Sequence, residues 1–120
     1  MREIKFRQPI IKNGKFHSFH YWGKIGGKGC FTSPLTQSDR SDESYQFTGL
    51  KDKNGVEIYE GDILNLDSWG DNQLVSFIEG AFCLSDKTKR YTADIHYIHH
   101  AGIEQATVIG NIHENKDLLP

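Results

Sequence analysis

QFTGLKDKNGVEIYEGDILNL, residues Gln46 to Leu66, packs two turn signals and the start of a strand into one short stretch. Asn54-Gly55 supplies the left-handed backbone positions that a tight turn requires, and Gly61-Asp62 bends the chain into the apolar run Ile63, Leu64 and Leu66. Turns this close together join strands locally, so the sheet they imply is antiparallel. No catalytic constellation accompanies them. Glu57, Glu60 and Asp62 form an acidic cluster beside the second turn, where carboxylates read more simply as a solvated rim than as a general acid/base pair. Asp62 is also placed to brace backbone amides. The structural turn residues are therefore Asn54, Gly55, Gly61 and Asp62.

Working outward toward the N-terminus, Ile4 and Phe6 alternate with Glu3, Lys5 and Arg7, a period of two that predicts an edge strand with its apolar face inward and its charges outward. Lys12-Asn13-Gly14-Lys15 is an N-G turn, and Phe16 to Trp22 reads as the returning strand of a hairpin. From Gly23 to Ser44 the glycines, serines and charges carry no sustained period. That stretch reads as a long flexible surface loop with one short strand around Cys30 and Phe31. Gly26-Gly27-Lys28-Gly29 within it lacks the spacing of a phosphate loop.

Working outward in the other direction, Asp62–Leu66 is a strand, Ser68 to Asn72 a turn, and Leu74–Ile78 with Ala81–Leu84 a second hairpin across Glu79-Gly80. Tyr91 to His100 fits neither helical nor strand period. Thr107–Ile112 is β-branched enough to close the sheet, and Asn115 can cap a short terminal helical turn of Lys116 to Leu119. Four to six short strands joined by hairpins predict a mainly β chain: a small antiparallel, hairpin-rich barrel or rolled sheet, SH3-like in one form, with a short C-terminal helical turn.

The 120 residues suffice for one domain spanning 1–120, and 37% hydrophobic with 25% charged residues is the composition of a folded globule. No apolar stretch approaches the roughly 20 residues that cross a bilayer, and no secretory pattern follows the basic opening, so no membrane partner and a cytoplasmic location are expected. Cys30 and Cys83 lie in no metal-ligand or redox spacing and read as reduced thiols. Net charge is −2 but unevenly distributed: residues 1–28 carry seven basic side chains against one acidic, the remainder seven against fifteen. The plain explanation is that the basic hairpin pairs with acidic elements of its own fold or of a second copy.

Three blocks, MREIKFR, QFTGLKDKNGVEIYEGDIL and VIGNIHEN followed by Leu118-Leu119, resemble in type, order and spacing the YopX-type proteins, small proteins encoded largely by bacteriophages and prophages. Between them, FHSFHYWGKIGGKGCF stands where that family has a shorter aromatic strand resembling W-x-Y-G, so the histidines there are particular to this chain. The resemblance implies a mostly β fold and a phage setting in a bacterial host cell. It carries over no catalytic or binding residue.

Two function classes survive. The first is a non-enzymatic protein-interaction module, with no cofactor, whose association into homo-oligomers through basic and acidic faces is expected. The second is a single-stranded nucleic-acid binder in which Lys12, Lys15, Lys24 and Lys28 track phosphates while Phe19, Tyr21 and Trp22 stack on bases. Against it stand the sequence pI near 6.3 and the need to fill a core with some of those aromatics. A metal-dependent hydrolase comes third. His17 and His20, three apart, fall on opposite faces of a strand and could share a metal only across a bulge, whereas Asp94, His96 and His100 share a strand face and form a weak cation-binding set. Without the Glu of H-E-x-x-H, that spacing is more often solvated than metal-bound.

Overall fold

The computed structural model describes residues 4–23, 44–66, 72–78, 80–85, 96–97 and 105–119. Asn13 and Gly14 take φ of 53° and 74°, the mirror-image turn geometry whose twist matches that of paired strands, and they join β1 (Lys5–Lys12) to β2 (Lys15–Gly23). Ile10 opposes Ser18 while Ile11 opposes Phe16, so His17 is a bulged residue in β2. β3 (Tyr45–Lys51) pairs with β1 through Phe6 and Arg7 and on its other side with β4 (Glu57–Tyr59), completing a sheet of order β2-β1-β3-β4.

The chain then crosses to a second antiparallel sheet at Gly61, whose φ of 90° only glycine adopts readily. A Cβ there would lie 3.2 Å from the Tyr45 ring, so a larger residue would also require that ring to shift. β5 (Asp62–Leu66), β6 (Gln73–Ile78), β7 (Ala81–Ser85), β8 (His96–Tyr97) and β9 (Ala106–Asn111) form a sheet of order β8-β7-β6-β5-β9. The fold is therefore mostly β, two antiparallel sheets with one curled as a half-barrel. Ile58, Leu64, Leu66, Val75, Leu84 and Ala106 form the buried cluster, with Leu50, Phe82 and Val108 packed against it. A 3-10 turn at Lys116–Leu118 follows β9, and Asn72 secures it by donating from Nδ2 to the Leu118 carbonyl at 2.9 Å. Among the described residues no helix is long and apolar enough to cross a membrane.

Several expectations are corrected. β1 is an interior strand, because β3 returns to pair with its other side; Pro9 stands beyond that short ladder. The expected alternation in β1 does not hold: Lys5 and Arg7 are buried while Ile4 is 53% exposed, and Gln8, on the same parity as Ile4, is buried as well. Nine strands are described rather than four to six, the additions being β3, β4 and β8. Asn54 is not left-handed, for Asn13 is the sole non-glycine with positive φ among the described residues. The turn at Asn54-Gly55 is instead braced by Asp52, whose Oδ1 accepts from the Asn54 and Val56 amides at 2.8 and 2.9 Å. Asn115 caps with its backbone carbonyl, accepting from Leu118, while its side chain turns back to the Asn111 amide. The flexible loop and its short strand near Cys30 and Phe31, and the turn from Ser68, lie outside the described residues. Cys83 is buried, and its thiol donates to the Ala81 carbonyl at 3.5 Å.

Candidate functional site

Register places Arg7 opposite Tyr21 and Phe6 opposite Trp22, and successive strand residues face opposite ways, so Arg7 and Tyr21 share the face turned toward the second sheet. Arg7 crosses from β1 to the start of β5, where its Nη2 donates to Oδ1 of Asp62. The guanidinium lies between two rings, 4.1 Å from the Phe19 centroid and 4.6 Å from that of Tyr59. The other Asp62 oxygen accepts from the Tyr59 amide at 2.8 Å, so the carboxylate is engaged at both atoms. Arg7 Nε is buried without a hydrogen-bond partner. A second ion pair runs parallel: Lys5 donates to Glu57 Oε2 from above the Phe47 ring.

Beside these pairs lies an open cleft of about 240 Å³. Arg7, Asp62, Glu57 and Tyr59 form its polar side, and Tyr21, Val56 and Val108 its apolar side. The Tyr21 and Tyr59 rings meet edge to face with centroids 5.6 Å apart. Burial pushes the Asp62 pKa up, and although Arg7 and the Tyr59 amide oppose the shift, the net direction is upward. Burial and then the Glu57 charge push the Tyr59 hydroxyl up as well, so it keeps its proton. The acidic cluster read as a solvated rim is corrected at Asp62, which is 2% exposed. Its expected bracing of a backbone amide is present.

Behind the cleft, His113 sits among aromatic rings, stacked on Phe16 at 5.8 Å and edge to face with Phe19 at 5.7 Å and Tyr45 at 4.8 Å. Asp52 reaches across to β9. Its Oδ2 accepts from the Val108 amide at 2.9 Å, tying the turn after β3 to β9. Burial raises its pKa, but the three backbone donors Val108, Val56 and Asn54 and the charge of Lys53 outweigh it and the net shift is downward.

Of the residues proposed for nucleic acid, Phe19 and Tyr21 share the cleft face, Lys12 and Lys15 stand exposed at the hairpin tip, and Trp22 is on the opposite face. There Trp22 stacks on Phe6 at 4.4 Å and donates to Ser44. Lys24, Lys28, Asp94 and His100 lie outside the described residues, and His96 is placed in β8 by its backbone. Among the described residues no three of His, Cys, Asp and Glu group as metal ligands. Lys5, Arg7, Tyr59 and Asp52 were not singled out by local pattern; the excess of cations in residues 1–28 is the signal that pointed to ion pairing there.

Among solved structures, the chain resembles the crystal structure of protein EF1440 from Enterococcus faecalis, at 24% identity and a TM-score of 0.55 over the whole of both chains. At that identity the likeness is one of fold. No match is found among curated proteins. A family model described as YopX protein matches residues 19–120, beginning within β2 and taking in the signature from Gln46, the crossing at Gly61 and the strands of the second sheet. The chain belongs to the YopX family.

Proposed function

We propose that the protein is a non-enzymatic protein-interaction module of phage or prophage origin, acting in the bacterial cytoplasm and docking its partner over the cleft between the two sheets. The observation that carries this reading is the combination of an accessible rim and a fixed floor. Tyr21 and Val56 are 43% and 47% exposed at the cleft mouth, while the polar groups beneath them are already held by one another. Preorganised tyrosine and arginine side chains around a concave patch are the features that concentrate binding energy at protein interfaces. Asp62, with both oxygens engaged, offers no free base to a substrate. A base-stacking role for Phe19 competes with the guanidinium already over its ring.

Affinity capture tests the reading. The full chain, immobilised, is exposed to extract of phage-infected cells with and without nuclease, beside a Tyr21→Ala variant. The expected result is a protein retained regardless of nuclease and lost with the variant, as hot-spot truncation at an interface predicts. Retention that nuclease abolishes would transfer the reading to single-stranded nucleic acid.

A further inference from the structure

We propose that the cleft receives a lysine from the tip of the β1–β2 hairpin of a second copy of this chain. The inference rests on the interaction-module reading and names the partner of that same site.

The cleft selects for a cation. Its lining holds one cation and two carboxylates. The Arg7 and Asp62 side chains are 7% and 3% exposed and turned on each other, whereas Glu57, at 33%, is the charge that an entering group meets. Glu57 Oε2 holds Lys5, but Oε1 has only the Tyr59 hydroxyl at 3.5 Å, at the long limit of a hydrogen bond. A carboxylate oxygen carries two lone pairs, so Oε1 retains capacity for a donor. The Tyr21 and Tyr59 rings line the same cleft as that carboxylate, and an ammonium group that meets both an aromatic face and a carboxylate gains from each.

The hairpin tip supplies the cation. Lys12 and Lys15 are directly opposed on the last rung before the turn, both exposed, and neither has an ion-pair partner among the described residues. Like charges held opposite one another on a ladder are unfavourable, and the Asn13-Gly14 turn fixes them in that register. An external carboxylate relieves the repulsion. The tip cannot reach its own cleft: five residues of strand from Arg7 to Lys12, at about 3.3 Å each, hold it about 17 Å away. The recipient is therefore another molecule, and the opposite net charges of residues 1–28 and 29–120 give the encounter its charge complementarity.

Sedimentation of the full chain over a range of protein and salt concentrations reads the outcome. The parent is expected to self-associate, less so as salt screens the contact. Lys12→Glu combined with Lys15→Glu, at exposed positions, should weaken association at least about tenfold, the scale of a close interfacial charge pair. Glu57→Lys should do the same, and an equimolar mixture of the two variants should associate again because the reversed tip then meets a reversed cleft. If thermal melts show that Glu57→Lys is unfolded, Tyr21→Ala tests the cleft side by the same loss. A parent that is monomeric under every condition, or whose association ignores the tip charges, overturns the inference. A monomeric parent that still retains a protein from extract through Tyr21, or binds a lysine-rich peptide there, overturns self-docking alone; loss of that capture as well overturns both readings.

Discussion

Arg7 is held by one carboxylate, two aromatic rings and no hydrogen bond at Nε, so its charge is compensated chiefly by Asp62. Breaking a buried pair at one end leaves the other charge desolvated and alone, which typically costs about 3–5 kcal/mol. Asp62→Asn is expected to lose stability on that scale in urea unfolding. Arg7→Met together with Asp62→Leu should recover much of it, since neither buried charge then remains. Equal losses in the single and double variants would show that the pair is not what couples these positions. Tyr59 donates its amide to the same carboxylate at 2.8 Å, so the double variant should not recover that hydrogen bond, worth about 1 kcal/mol.

Among the elements, the turn between β3 and β4 depends on one side chain. Asp52 accepts from Asn54, Val56 and Val108, so Asp52→Ala leaves three amides without that acceptor and should destabilise by about 1–3 kcal/mol. Hydrogen exchange at Val56 and Val108 should accelerate together, and unchanged protection at Val108 would show that the turn and β9 are not joined through this carboxylate. Turns of this kind were legible when their chemistry is local. Asn13-Gly14 announced a hairpin and Gly61-Asp62 a bend, though not that the bend leads into a second sheet, and Asp62–Leu66 is the strand its apolar run predicts. The buried side of β1 was not legible, because a period of two fixes that alternate residues share a face without fixing which face turns inward. Arg7 goes inward through Asp62, 55 residues away, and nothing adjacent to it in the chain records that partner. The cleft was hidden for the same reason, since its walls come from β1, β2, β4, β5 and β9.

For the molecule as a whole, the two shifted carboxyls give stability a pH dependence of mixed sign. Asp52 has a folded pKa below its ordinary 3.8, so its contribution is present above that value and lost as pH falls through the folded pKa. Asp62, raised above 3.8, has the opposite sign: its contribution is present below the unfolded value and lost as pH rises through the folded pKa. Melting temperature followed below pH 3.8 should therefore fall in the parent and fall less in Asp52→Asn. Parallel acid limbs would remove Asp52 from the account. The crossing at Gly61 has one further consequence. Every described strand before it belongs to one sheet and every described strand after it to the other, while Arg7 and Asp62 meet across the divide. A chain nicked between Glu60 and Gly61 would thus yield two fragments, each holding a complete set of strand partners, with their reassembly guided by one buried charge on either piece together with the Asp52–Val108 bond and the packing of Ile58 and His113 across the divide.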